Sequence, residues 1–320
     1  MLRVLMIGAG AVGQVFGHHL QQGGAALTFY VLPQFRESMQ KGCRLYRLGY
    51  TGAKALDWKD YEVVSSVDEV REREFDQIWL AVPSTALSGD WIENILKAAS
   101  GATIVSLLPG VEDLAVLSQW VPKERIVTGM ISIIAYQAPL PGETRFKEPG
   151  IAFWLPPLAP SPFDGPRADV QQVVQTLTSG GQAAVYKPNY GQDAATGNGA
   201  FMPMLAVLER ADWKLAALQE RSHAQQVVAA MREAVIIVAA RLGIAPPVAA
   251  RLSPWMIQLV AWLAPKFTPL DLETYLKYHF TKVGDQTRLY LQQFIAMGKE
   301  RQLPTAELER ALNALPPLLR

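Results

Sequence analysis

Three glycines near the amino terminus carry the clearest chemical signature in the chain. Gly8-Ala9-Gly10-Ala11-Val12-Gly13 has the spacing G-x-G-x-x-G. A loop of that kind suits the pyrophosphate of a dinucleotide. The first glycine permits the tight turn, the second leaves room for the phosphates, and the third lets a helix pack close to a strand. A helix starting at the loop aims unpaired N–H groups and its positive dipole end at the anion. The pattern names Gly8, Gly10, Ala11, Val12 and Gly13 as candidate cofactor contacts. The bland alternative is a tight strand-to-helix turn with no ligand.

The elements that must position this loop are legible on either side of it. Residues 4–7 form a continuous apolar run, as a strand buried on both faces requires. Val12, Val15, Phe16 and Leu20 then recur at helical spacing until Gly23-Gly24. Residues 27–32, 78–82, 103–107, 126–134 and 183–187 read as further strands. Helices are expected over about 87–99 and 170–178, and the proline-rich stretch 156–166 as a surface loop. After about residue 190 the strand pattern stops. Val227, Val228, Met231, Val235 and Val238 make one helical stripe closed by Gly243 and Pro246-Pro247. Leu289, Phe294 and Ile295 belong to another helix, and Thr305 is placed to cap the last one. Trp255 and Trp262 share a helical face and read as core or interface. The predicted fold class is α/β + all-α: a doubly wound Rossmann domain over 1–190, then an all-helical domain over 191–320 for substrate or dimerisation.

The end of the second strand bears on which dinucleotide would fit. A carboxylate there bonds the ribose 2′-hydroxyl of NAD. The run Phe29-Tyr30-Val31-Leu32-Pro33-Gln34 offers none before Glu37, whereas Gln34 is a neutral hydrogen-bonder and Arg36 a cation. The reading is NADP, with Arg36 on the 2′-phosphate; the alternative is a solvated loop arginine. Ala81, Val82 and Pro83, and Leu108 and Pro109, end two parallel strands and are expected to border the cofactor. Glu112 and Asp113 read as dipole partners at a helix start.

Composition narrows the function classes. The 320 residues carry a net charge of +1, so no general field recruits nucleic acid or anionic membrane. Residues 253–265 are apolar but fall short of the roughly 18 that a spanning helix needs. Cys43 is the lone cysteine and no His lies near it, which predicts no disulfide, no metal site and a reducing, cytoplasmic setting.

The glycine loop with Gln14, Leu32-Pro33-Gln34 after the second strand, Leu205-Ala206-Val207, Gln302-Leu303-Pro304-Thr305 and the order of the two domains resemble the ketopantoate reductase family. The match covers most of the chain. The resemblance implies NADPH-dependent reduction of a 2-keto acid in an interdomain cleft, with a lysine as general acid and asparagines and a carboxylate holding the substrate. Aligned by eye, the lysines fall at Met204 and Pro83, the asparagines at Leu208 and Pro109, and the carboxylate near Val283. No lysine or asparagine lies within two residues of the first four. The family's catalytic residues are therefore expected to be replaced.

Hydride transfer to a carbonyl needs a proton donor and charge stabilisation at its oxygen. His279, Thr281, Lys282, Asp285, Gln286 and Arg288 form a polar cluster in an otherwise apolar second domain. Lys282 would be the donor if burial lowers its pKa, with Asp285 or Thr281 positioning it; the competing reading is a solvated helix end with Lys282 and Asp285 paired at i,i+3. Lys214 reads as a helix-terminal cation. The expected activity is an NADP-dependent oxidoreductase acting on a small 2-keto or 2-hydroxy acid. The alternatives are an NADP-binding protein without that reaction and a reductase for a more apolar carbonyl compound. The partner expected is a small-molecule substrate, with a homodimer as a further expectation.

Overall fold

The computed structural model describes residues 1–108 and 110–318; Pro109 lies outside the described residues. The chain divides into two compact units, Met1–Gly191 and Gln192–Arg320.

The first unit is built on an eight-stranded sheet. Its central strand β1 (Arg3–Ile7) leads through the glycine loop into α1 (Ala11–Gln22) and then β2 (Ala26–Tyr30). Helix α2 (Pro33–Gln40) and a hairpin of β3 (Cys43–Gly49) and β4 (Gly52–Trp58) follow. The chain returns through β5 (Glu62–Val64) and α3 (Val67–Arg71) to β6 (Gln77–Leu80), α4 (Trp91–Ala98), β7 (Thr103–Ser106), α5 (Asp113–Trp120) and β8 (Ile126–Gly129). Strands β9 (Ile134–Ala138), β10 (Gly150–Trp154) and β11 (Ser161–Asp164), helix α6 (Arg167–Ser179) and β12 (Ala184–Tyr186) complete it. The strand order is β12-β11-β8-β7-β6-β1-β2-β5. From β8 to β5 every pair is parallel, and β11 runs antiparallel to β8. The order reverses at β1, since β2 lies on one side of it and β6 on the other. That reversal opens a crevice above the carboxyl ends, where ligands of such sheets bind.

Continuous apolar runs form these strands because both faces are covered. Val15, Phe16 and Leu20 of α1 and Val170, Val173 and Leu177 of α6 pack on one face with Met6, Trp79 and Val127. Ile92, Ile95 and Leu96 of α4 and Leu117 of α5 pack on the other with Ile7, Ile78 and Ile104. Trp79 is wholly buried, and its indole N–H donates to Gln77 Oε1 at 2.9 Å.

The strand expected over 126–134 is two strands in different sheets, because β8 ends at Gly129 and β9 joins a second sheet ordered β4-β3-β10-β9. The expected loop over 156–166 contains β11, whose Ser161, Pro162 and Phe163 are buried. The expected helix over 87–99 begins later, at Trp91, after a 3-10 turn over Ser84–Leu87.

In the second unit, α7 (Tyr190–Arg210) begins at the boundary and continues to Arg210. Helix α8 (Arg221–Leu242) buries Val227, Val228, Met231, Val235 and Val238 and ends at Gly243 in the left-handed region, φ +67°. Then come α9 (Pro254–Leu263), α10 (Leu272–Lys282), α11 (Gly284–Glu300) and α12 (Ala306–Asn313). Gly298 lets α11 approach α8, since a Cβ there would lie 2.7 Å from Ile237 Cδ1. Thr305 stands at the N-cap of α12, but its side chain caps nothing. The amides of Glu307 and Leu308 instead donate to Glu233 of α8 at 2.9 and 3.0 Å. Trp255 and Trp262 are 62 and 55 % exposed, so they are not core residues. No helix among the described residues is long and apolar enough to cross a membrane.

Candidate functional site

The glycine loop sits at the crevice. Gly8 adopts φ +103°, and a Cβ on it would lie 2.5 Å from Ala81 O. The bare backbone therefore presses against the end of β6. A Cβ on Gly13 would fall 1.8 Å from Gly8 O, so α1 starts as close to the loop as the backbone allows. Gly10 is different. It is exposed, and a Cβ there meets nothing within 4 Å. Gly10 is the N-cap of α1, with no side-chain cap and no acidic residue in the first turn. The positive end of α1 is thus left open on the side where Gly10 keeps its side-chain space empty. Gln14 braces the turn by donating from Nε2 to Ala9 O at 2.8 Å. These features fit a bound pyrophosphate.

The neighbouring strand ends are laced together. Ala81 N–H donates to Ile7 O at 2.9 Å, and Leu107 N–H to Leu80 O at 3.2 Å. Beyond them, Asp113 Oδ2 accepts from Ser84 Oγ at 2.6 Å and from the Gly110 amide at 2.7 Å. Asp113 is buried, and burial pushes its carboxyl above the usual range more than these two bonds pull it down. Asp113 does stand in the first turn of α5, but it also ties the β6 and β7 loops together. Ala81 and Val82 are half-buried, Pro83 is exposed and Leu108 is buried.

Gln34 lies exposed in the first turn of α2. Arg36 is not a solvated loop residue. It stands on α2, where Nη2 and Nη1 donate to Glu69 Oε1 and Oε2 at 2.6 and 3.0 Å. Glu69 comes from α3 and is held down to about 2 by the Arg36 guanidinium and the Ser65 amide. No spacing or motif in the sequence points to this partner.

The polar cluster of the second unit is differently organised from the expectation. Lys282 ends α10 and Asp285 stands in the first turn of α11, with a break at Val283. The i,i+3 pair expected within one helix is therefore absent among the described residues, and Asp285 Oδ1 accepts from the Gln286 amide at 2.8 Å. Thr281, Lys282 and Asp285 are all exposed. Arg288 turns away to Glu209, at 2.8 and 3.3 Å, both side chains being mostly buried. Gln286 donates to Tyr290 Oη at 3.1 Å. His279 lies against Tyr275 and Phe280. Lys214 pairs with Glu273 at 3.1 Å.

Leu208 on α7 is fully packed and Met204 is half-buried. Asn198, earlier on the same helix, went unnoticed in the sequence. It is 6 % exposed, and its Nδ2 has no hydrogen-bond partner. An unsatisfied buried amide calls for an explanation, and a ligand is one. Among the described residues, no group of three His, Cys, Asp or Glu could hold a metal ion.

Residues 4–159 match the family model for ketopantoate reductase PanE/ApbA. This segment, a little under half of the chain, is similar to that family. That family is one of oxidoreductases, and the Rossmann-type sheet followed by helices seen here matches its fold. Among solved structures, a ternary complex of D-mandelate dehydrogenase with NADH and anilino(oxo)acetate is 16 % identical, with a TM-score of 0.74, over 98 % of this chain and 96 % of that one. A PanE/ApbA family ketopantoate reductase from Ralstonia eutropha JMP134 is 15 % identical, with a TM-score of 0.75 and coverages of 98 and 96 %. A 2-dehydropantoate 2-reductase from Geobacter metallireducens GS-15 is 14 % identical, with a TM-score of 0.71 and coverages of 98 and 99 %. At these identities the likeness is one of fold. No curated protein matches by sequence.

Proposed function

We propose that this protein is an oxidoreductase of the ketopantoate reductase type, transferring hydride between a nicotinamide dinucleotide and a small 2-keto or 2-hydroxy acid. The observation that carries the reading is Gly10: an exposed, side-chain-free N-cap at the open positive end of α1. The dinucleotide supplies the hydride. The chain's own task at this edge is to hold the pyrophosphate on the amides of Ala11, Val12 and Gly13, with Gln14 keeping the turn rigid. Ala81, Val82, Pro83 and Leu108 border the same edge. NADP is the cofactor that Arg36 suggests by itself; its bond to Glu69 favours NAD instead.

On α7, Asn198 would be the group that meets the acid, its unpartnered amide donating to a substrate oxygen. Lys282 is proposed as proton donor, with Thr281 and Asp285 beside the same helix break. The exposure of all three favours a second reading, a dinucleotide-binding protein without turnover. A panel of 2-keto acids, with ketopantoate and an aryl-substituted acid included, tests the choice by loss of nicotinamide absorbance. Turnover that slows in Lys282→Ala supports the reductase. Nucleotide binding without turnover on any acid supports the second reading. For an acid that is turned over, Asn198→Ala is expected to raise KM roughly tenfold, the worth of one hydrogen bond to a charged group. An unchanged KM would remove Asn198 from the site.

A further inference from the structure

The adenosine side of a dinucleotide site lies at the carboxyl end of β2, and here β5 ends beside it. Tyr30 pairs with Val64 in the parallel register, and Val31 N–H donates to Val64 O at 3.0 Å. Each strand then turns into a short helix, α2 after β2 and α3 after β5. Arg36 stands on the first and Glu69 on the second, and the two meet as a bidentate pair at 2.6 and 3.0 Å.

Glu69 is held from more than one side. Its Oε2 also accepts from the Ser65 and Ser66 amides at 2.8 and 3.2 Å. The Glu69 amide in turn donates to Ser66 Oγ at 3.2 Å, which completes a capping box at the start of α3. Oε2 is therefore crowded with donors. Among these contacts Oε1 receives one, from Arg36. Both side chains are partly exposed, Glu69 at 24 % and Arg36 at 39 %, so the pair faces solvent rather than the core.

We propose that Glu69 selects between the two nicotinamide dinucleotides, Oε1 accepting the ribose 2′-hydroxyl of NADH while the same carboxylate repels the 2′-phosphate of NADPH. The proposal rests on the dinucleotide reading of the glycine loop. Its chemistry follows from charge. A carboxylate at the end of the second strand is the ordinary acceptor for a ribose hydroxyl; the end of β2 offers none, and Glu69 comes from α3, after the neighbouring β5. A phosphate monoester carries about −1.5 to −2 at neutral pH. To use Arg36 it must break a charge-assisted bidentate pair or lie beside a fixed carboxylate. A hydroxyl needs neither. Arg36, the residue that suggests NADPH when the sequence is read alone, becomes the clamp that orients Glu69 against it.

The test is titration of full-length protein with NADH and NADPH, followed by nicotinamide fluorescence, for wild type, Glu69→Gln and Arg36→Ala, with thermal melting as the folding control. Glutamine can serve the capping box as glutamate does. Wild type is expected to prefer NADH. Glu69→Gln frees the guanidinium and removes the negative charge, and should move the NADPH/NADH affinity ratio toward NADPH by roughly tenfold or more. Arg36→Ala leaves the carboxylate unneutralised and should move the ratio further toward NADH, so the proposal stays testable if Glu69→Gln fails to fold. A wild type that prefers NADPH, or a ratio unmoved in the folded variants, overturns the selector alone. Failure of wild type to bind either dinucleotide overturns the glycine-loop reading and the selector with it.

Discussion

Gly10 and Gly13 lie three positions apart and differ in what a methyl group would meet. At Gly13 it would overlap the Gly8 carbonyl oxygen at 1.8 Å; at Gly10 it would meet nothing within 4 Å. Gly13→Ala should therefore cost about 1–3 kcal/mol through forced displacement of the loop. Gly10→Ala should cost less than about 1 kcal/mol, as a helix N-cap loses a preferred residue. Urea unfolding of the two variants checks the contrast, and equal losses would contradict it. The sequence motif names all three glycines but does not say which of them is packed and which is open. Arg36 is a similar case. Its type and place were legible, but its partner Glu69 lies on another helix, brought near by the pairing of β2 with β5. Asn198 was missed because a single asparagine in a helical stretch has no spacing to betray it.

At the scale of elements, the parallel strands were readable because burial on both faces demands unbroken apolar runs, as in β1, β6 and β7. The second sheet was not. Six of the seven positions in β4 are exposed, so it shows no apolar alternation. Strand β11 hid in a proline-rich stretch; it holds Pro162 because its ladder with β8 begins only at Phe163. The helix over α10 and α11 read as one polar cluster because a break at Val283 leaves little mark in composition. The loops after β6 and β7 depend on Asp113, which joins Ser84 to the Gly110 amide. Burial raises its carboxyl above the ordinary value, so the folded protein binds a proton there more readily than the unfolded chain. Its contribution is complete below the unfolded value of 3.8 and is lost as pH rises through the elevated folded value. Asp113→Asn should flatten that fall in stability, measured by urea midpoints across pH. A variant with the wild-type profile would show that another group titrates.

For the whole molecule, the two-part order of sheet and helices was legible because the sequence changes period near residue 190, and the structure divides after Gly191. Each unit carries a histidine of opposite character to Asp113, buried in the first and half-buried in the second. Burial lowers His18 in the first unit and His279 in the second to about 4. Such groups are neutral in the folded state, so their contribution is present above the ordinary 6.5 and lost as pH falls through 4. His18 packs against Trp58 and His19, and its Nδ1 has no hydrogen-bond partner. His18→Phe is expected to fill the same space and make stability fall less steeply between pH 6.5 and 4. Acid unfolding followed by far-UV circular dichroism checks this, and an unchanged slope would contradict it.

The central claim is that the open end of α1 holds a dinucleotide, and Gly10 tests it most directly. Calorimetric titration of wild type and Gly10→Ala with NADH and with NADPH would be set beside their melting curves. The account predicts saturable binding of at least one dinucleotide by wild type and a loss of roughly tenfold or more in a variant that melts like wild type. Binding that survives the substitution undiminished, or no binding by wild type at all, would contradict it.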